Sequence, residues 1–338
     1  MPRRITGKQM LMGAAATLVI RAALRRRRRF DLRDRVALIT GGSRGLGLAL
    51  ARELGRQGAM VAICARDADE LERAREDLES RDIRCAIYTC DITLEDEVAR
   101  LASAISSELG PVDVLINNAG RIEVGPLETA TREDFENAMA VHYWGPLYSM
   151  LAVLPEMKGR GGRIVNISSI GGKVAAPHLV PYDGSKFALA GLSEGMAAEL
   201  RKDHIFVTTV YPGLMRTGSP RNANFKGQHR KEYAWFTLSD AAPLLTIAAQ
   251  RAARQIVDAC INGRASLVLT PAARLAVLAH ALAPNTLISA LGLINRLLPV
   301  AGGIGRQMRK GRDSESAVTR SPLTALDEAA ARKLNQTA

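Results

Sequence analysis

The stretch "LITGGSRGLGLAL" (Leu38–Leu50) decides how the chain is read. Its first residues end an apolar, β-branched run, "RVALIT" (35–40), and its last residues open a run of helical spacing. Between them Gly41, Gly45 and Gly47 follow the order G-x-x-x-G-x-G, not the G-x-G-x-x-G fingerprint. Both patterns meet one physical demand: a tight turn, a close backbone approach, and helix N-terminal amides aimed at an anion such as a pyrophosphate. Alone, a glycine-rich turn is weak evidence. Between the first strand and the first helix of an alternating chain it is strong.

Such alternation follows. Short apolar runs recur at "AMVAIC" (59–64), "RCAIY" (84–88), "VDVLIN" (112–117), "GRIVNIS" (162–168), "IFVTTV" (205–210) and "ASLVLT" (265–270), with amphipathic stretches between them. Continuous apolar strands separated by helices predict an α/β fold, a doubly wound parallel sheet with helices on both faces. Its ligand site is expected beyond the carboxyl ends of the strands. The boundaries drawn are an arm (1–32), the main domain (33–270, with a lid at about 214–240) and a helical C-terminal extension with a polar tail (271–338).

Net charge is +12 over 338 residues, but it sits at the ends. Nine Lys/Arg and no acid in residues 1–30, with eight bases against four acids in 296–338, leave 31–295 at −1. The globular part therefore offers no electrostatic footprint for nucleic acid. Cys64, Cys85, Cys90 and Cys260 form no CxxC pair and read as reduced structural thiols, with no metal site. The uncharged run Met10–Ile20 is shorter than the roughly 20 residues of a spanning helix, and five arginines after it argue against export. Residues 1–30 read as a shallow membrane-surface contact or as a floppy basic arm, on a cytoplasmic protein either way.

The uncharged segment 275–295 holds Leu287, Ile288, Leu291 and Ile294 at helical spacing, continued by Leu297 and Leu298. Packing on its own domain is the default; capping the cleft, a subunit interface, or bilayer contact through 275–298 are the alternatives. Pro284 and Asn285 speak against one straight helix.

In "VPYDGSKFAL" (Val180–Leu189), Tyr182 and Lys186 lie one helical turn apart. A cation beside a phenol favours the phenolate and suits acid–base chemistry, although a chance pair on an exposed helix would look the same.

Five motifs in order settle the choice: "TGGSRGLG" (Thr40–Gly47), "NNAG" (Asn117–Gly120), the pair Ser168–Ser169, "YDGSK" (Tyr182–Lys186) and "PGLMRT" (Pro212–Thr217). Over roughly residues 33–270 the chain resembles the short-chain dehydrogenase/reductase family. The resemblance implies a seven-stranded Rossmann-type sheet, a nicotinamide dinucleotide and hydride transfer between that cofactor and a small-molecule carbonyl or alcohol. Tyr182 would give and take the proton, Lys186 would hold the ribose and lower the tyrosine's pKa, and Ser169 would hydrogen-bond the substrate oxygen. Ser168 reads as structural. The cofactor would lie along Thr40, Gly41, Ser43, Arg44, Gly45, Leu46 and Gly47, then Arg66, Asp91 and Ile92. Beyond these come Asn118, Ala119 and Gly120, then Tyr182 and Lys186, then Pro212, Gly213 and Thr217. Asp91 would meet the adenine, Asn118 would hold the fourth strand, and Thr217 would touch the carboxamide.

The second strand ends "VAICARD", so Ala65 stands where NAD-specific members carry an acid, and Arg66 follows. Arg44 and Arg66 with no carboxylate at that position favour the 2′-phosphate of NADP(H); Asp67 reads as a helix N-cap. In "VHYWG" (Val141–Gly145), His142 stands where the family has the asparagine of its proton relay. It could serve the relay, substitute for the asparagine in a slower enzyme, or be a satisfied buried histidine. His178 reads as a solvated loop residue. The lid carries Phe225, Tyr233, Trp235 and Phe236, for a bulky apolar (lipid-like, acyl or sterol-like) substrate or as a hydrophobic seam. Arg221, Lys226, Arg230 and Lys231 could meet a substrate carboxylate or a membrane surface, and by default read as solvated lid charges. The expectation is an NADP(H)-dependent carbonyl reductase, by analogy a homodimer or homotetramer. Its rival is a cofactor-binding regulatory or scaffold protein at a membrane surface.

Overall fold

The computed structural model describes residues 29–241, 246–316, 319 and 324–337. The seven strands of its main sheet are β1 (Val36–Thr40), β2 (Met60–Ala65), β3 (Cys85–Thr89), β4 (Val114–Asn117), β5 (Gly162–Ile167), β6 (Ile205–Tyr211) and β7 (Ser266–Val268). All pair in parallel, in the order β7-β6-β5-β4-β1-β2-β3. The central strands β1, β4 and β5 are buried at every position, because helices cover both faces and no strand face meets water.

One face carries α1 (Gly45–Arg56), α2 (Ala68–Glu79) and α8 (Ala249–Ile261) over a core that includes Ile39, Ile63, Leu50, Leu54 and Ile256. The other carries α3 (Glu95–Glu108), α5 (Gly145–Met157) and α6 (Val180–Glu199) over Leu38, Leu115, Ile164, Met150 and Leu200. Each fully buried leucine or isoleucine contributes about 1.5–3 kcal/mol relative to exposure. Asp67 caps α2 through Oδ1, which accepts from the Glu70 amide at 2.9 Å, as its place before "ADELER" predicts.

Sheet order reverses between β1 and β4, where Thr40 is the register partner of Asn117. This switch point sets the glycine turn beside "NNAG", so a crevice opens above the carboxyl ends of the two strands. A second layer covers it. Short strands Glu123–Val124, Asn224–Phe225 and Arg309–Lys310 form a three-stranded sheet that joins the lid to the C-terminal extension. The lid also holds a short strand, Met215–Arg216, paired with Ile247–Ala248, a 3-10 turn at Ser219–Asn222, and α7 (His229–Ala241).

The apolar segment past Pro271 is two helices, α9 (Pro271–Leu282) and α10 (Pro284–Asn295), broken at the proline. Packing on its own domain, the default expectation, is corrected: α10 buries no residue, and Leu282, Leu293 and Leu297 are exposed. Among the described residues no helix is long and apolar enough to cross a membrane. The expected membrane contact through residues 1–28 lies outside the described residues. Phe30 sits at the amino edge of the sheet, with its amide on the Ile261 carbonyl and its ring under the Arg163 guanidinium. That is the edge away from the crevice.

Candidate active site

The glycine turn is built by close approaches. Gly41 has φ +64°, and a Cβ there would lie 2.8 Å from Ala119 Cα; one on Gly47 would lie 2.0 Å from the Gly41 carbonyl. A side chain at either position would collide with backbone. Thr40 Oγ1 accepts from the amides of Asn118 (3.1 Å) and Ala119 (3.2 Å). Asn118 Nδ2 returns donors to the carbonyls of Thr40 (3.1 Å) and Gly41 (2.9 Å). Asn118 thus clamps the end of β4 to the turn. No side chain caps α1 at Arg44, so its first amides, at Gly45, Leu46 and Gly47, begin the helix without an internal cap.

Beside the turn, the Arg66 side chain is 74% exposed and reaches to 3.8 Å from Asp91. Arg44 is not free: it donates to Glu70 Oε1 at 2.6 Å, and Ser43 Oγ donates to Glu70 Oε2 at 3.1 Å. Sequence reasoning missed this carboxylate. Glu70 reads as a first-turn acid of α2, and only the packing of α2 against the turn brings it across. Asp91 is held by Thr93, whose amide (3.0 Å) and hydroxyl (2.8 Å) both donate to Oδ1.

At the carboxyl end of β5, Ser169 Oγ accepts from the Gly171 amide at 3.0 Å, which leaves its hydroxyl proton for the Tyr182 oxygen. Ser168 Oγ instead donates to the Lys186 carbonyl at 2.9 Å, fastening α6 to β5. Lys186 is buried, with Nζ donating to the Ile167 carbonyl at 2.9 Å. Burial pushes the Tyr182 phenol up to about 12, against the hydrogen bond with Ser169. Burial also pulls the Lys186 ammonium down to about 7. The expected lowering of the tyrosine by the lysine is therefore corrected: Nζ lies 5.7 Å from the ring centroid, and burial raises the phenol.

His142 sits in a π-turn (Ala140–Trp144) between α4 (Arg132–Met139) and α5, fully buried. Nε2 accepts from the Arg121 amide at 3.1 Å, so Nδ1 carries the proton and donates to Ser185 Oγ at 2.7 Å. Ser185 in turn donates to the Tyr182 carbonyl at 2.7 Å. Burial holds the imidazole well below its usual pKa and therefore neutral. The ring meets that of Tyr182 edge-on at 5.3 Å. His178 is also buried, not solvated as expected, with Nδ1 3.0 Å from the fully buried Glu232. Glu232 also accepts from Trp235 Nε1 at 2.7 Å.

Most of these groups, among them Arg44, Arg66, Asn118, Ser169, Tyr182 and Lys186, line one cavity of about 1580 Å³; His142, His178, Ser185 and Glu232 do not. That exceeds the roughly 300–1,000 Å³ of a single-ligand pocket and leaves room for a dinucleotide with a second molecule. Every residue expected to meet the cofactor lines it except Thr40 and Gly47, which lie behind the turn. Pro212, Gly213 and Thr217 form the wall after β6, where a Cβ on Gly213 would lie 2.7 Å from Thr270 Oγ1. The lid aromatics divide. Phe225 and Tyr233 are buried in a T-shaped seam, whereas Trp235 and Phe236 line the cavity, with Leu291, Ile294 and Leu298 from the extension. Lys226, expected in solvent, is buried against Asp134, and Arg221 pairs with Glu315 at 3.1 Å; Arg230 and Lys231 are exposed. Among the described residues no cluster could hold a metal ion. The turn fits a dinucleotide, since the space that side chains on its glycines would fill is used for close backbone approach.

Comparison with known proteins agrees with this geometry. The family model described as short chain dehydrogenase matches residues 35–226. The chain is 36% identical over 189 residues to gluconate 5-dehydrogenase of Gluconobacter oxydans, covering 56% of this chain and 74% of that one. It is 35% identical over 269 residues to fatty acyl-CoA reductase of Acinetobacter baylyi, covering 78% and 86%. L-sorbose reductase from Gluconobacter frateurii, solved with NADPH and L-sorbose, superposes with a TM-score of 0.63 at 25% identity, over 71% of this chain and 97% of that one. With five motifs placed around one crevice and relatives that share most of the chain, this protein belongs to the short-chain dehydrogenase family of oxidoreductases.

Proposed function

We propose that the protein is an NADP(H)-dependent reductase of a bulky apolar carbonyl compound, running in reverse as a secondary-alcohol dehydrogenase. The carrying observation is the arrangement of the cavity: Ser169, Tyr182 and Lys186 line it together with Leu291, Ile294, Leu298, Trp235 and Phe236. The named relatives that reduce a fatty acyl-CoA or bind NADPH support the reading, while gluconate 5-dehydrogenase carries a polar counter-example.

The bound nicotinamide supplies the hydride chemistry. The chain's own residues do the rest. Tyr182 is a phenol, protonated at neutral pH and made a still weaker acid by burial, and it would deliver that proton to the carbonyl oxygen as charge develops there. Ser169 donates to the same oxygen. Lys186, whose Nζ donates to the Ile167 carbonyl at 2.9 Å, would hold a ribose hydroxyl of the bound dinucleotide. His142 acts as a positioning residue, fixing Arg121 and, through Ser185, the first turn of α6. Arg66, exposed at the end of β2, and Arg44 favour a 2′-phosphate. A bilayer or partner surface beside the cavity is a second reading, supported by the exposed leucines of α9 and α10, and co-sedimentation with anionic vesicles tests it.

The deciding experiment is fluorescence titration with NADPH and NADH, followed by a screen of long-chain ketones and acyl thioesters. Tighter NADPH binding, turnover in the screen, and turnover lost with cofactor binding kept in Tyr182→Phe would support the reading. Folded protein that binds neither dinucleotide would end it.

A further inference from the structure

The C-terminal extension returns to the crevice twice. The strand Arg309–Lys310 pairs antiparallel with Asn224–Phe225, in register Lys310 to Asn224. It carries Lys310 and Arg312 to the cavity wall, where Lys310 Nζ donates to the Asn222 carbonyl at 3.3 Å. Farther on, α11 (Ala325–Lys333) docks on the lid through Asp327 Oδ1, which accepts from the Gly218 amide at 2.9 Å. The chain then crosses the glycine turn. The Leu334 carbonyl accepts from the Gly45 amide at 2.9 Å. Asn335 Nδ2 donates to the carbonyls of Ser43 (2.9 Å) and Glu70 (3.0 Å). Gln336 lines the cavity against Gly45, where a Cβ would lie 2.7 Å from Nε2. Its Oε1 accepts from Asn222 Nδ2 at 2.6 Å, so both returns meet at Asn222.

The two returns also complete a charge pattern. Partial burial, and then the charges of Arg121, Arg44, Arg312 and Arg66, lower the pKa of Lys310. Facing acids are Glu70 on Arg44, Asp91 near Arg66 and Glu123 on Arg121. With Asp67 beside Arg66 that is five cations against four acids, on one wall beside the helix-start amides of Leu46 and Gly47, and the excess positive charge favours entry of an anion with several charges.

We propose that residues 309–312 and 334–336 form a strap across the phosphate-bearing part of the dinucleotide site, with Lys310 and Arg312 facing the phosphates and Gln336 closing the outer edge. The strap rests on the NADP(H) reading above. Its role in the proposal is to hold the cofactor, with Gln336 lining the cavity beside the turn.

The test uses the full chain and the variants Lys310→Met, Gln336→Ala and Asn335→Asp, with exposed Lys333→Met as the charge control. Asn335→Asp loses both donors and sets a carboxylate against two carbonyls, which loosens the strap on the turn without shortening the chain; the bond from Arg73 Nε to Oδ1, 3.0 Å, is the contact it keeps. NADPH affinity is measured at two salt concentrations, and unfolding temperature without cofactor reports folding. Lys310→Met should weaken NADPH about tenfold and flatten the salt dependence, and Asn335→Asp and Gln336→Ala should each weaken it severalfold, while Lys333→Met matches the parent. If the parent binds NADPH and the folded variants bind it equally well, the strap is wrong and the cofactor reading stands. Tighter binding by Asn335→Asp or Gln336→Ala would make the segment a plug and overturn the proposal. If the parent binds no dinucleotide, the cofactor reading falls first.

Discussion

Replacing Lys186 with Met measures how far the fold has driven an ammonium toward neutrality. Lys186 is 4% exposed, its Nζ meets one carbonyl at 2.9 Å, and burial takes its pKa from 10.5 to about 7. Between those values the unfolded chain binds the proton and the folded chain does not, so stability rises with pH. The lysine's contribution is complete above 10.5 and is lost as the pH falls toward 7. At about 1.4 kcal/mol per unit the whole span is worth at most roughly 5 kcal/mol, of which about 2 kcal/mol falls between pH 7 and pH 9. Methionine keeps the length and abolishes the titration. It also leaves the Ile167 carbonyl without its donor, at about 1–3 kcal/mol, but that cost does not vary with pH. The observable is therefore a slope. Urea unfolding of cofactor-free protein at pH 7, 8 and 9 should show the parent gaining about 2 kcal/mol on the variant. Parallel profiles would mean that Lys186 keeps an ordinary pKa in the fold, and the argument from desolvation would be refuted.

Three further substitutions separate roles that neighbouring residues could share. Ser169→Ala should cut kcat by about a hundredfold or more with little change in unfolding temperature, whereas Ser168→Ala should cost about 1–2 kcal/mol of stability through the lost bond to Lys186; the reverse pattern would exchange the two roles. Glu70→Gln should release Arg44 and tighten NADPH binding severalfold without helping NADH, and an equal change for both would show that Arg44 does not meet a 2′-phosphate. His142→Asn should retain most activity while lowering the unfolding temperature, since a carboxamide can accept from Arg121 but fills less of the site; loss of turnover in a stable variant would make the imidazole part of the proton path.

The readable parts of this site are those fixed by short-range demands. A turn that admits no side chain must use glycine, and a tyrosine and lysine that share a helix face must be four apart. What could not be read depends on partners far along the chain. Glu70 meets Arg44 across 26 residues, and His178 finds Glu232 across 54, so one looked like a helix-start acid and the other like a loop histidine. The three glycines of the turn show the difference within a single motif. Gly41 makes room for Ala119, and Gly47 makes room for the Gly41 carbonyl and Asn118. Both needs arise inside the crevice and come with the motif. Gly45 has φ +59°, which explains its identity by conformation alone, yet its open side is filled by Gln336, 291 residues away. A β-carbon at Gly45 would therefore strain the turn and push off the tail together. The same letter in the sequence carries a local reason that can be deduced and a tertiary one that only the folded chain discloses.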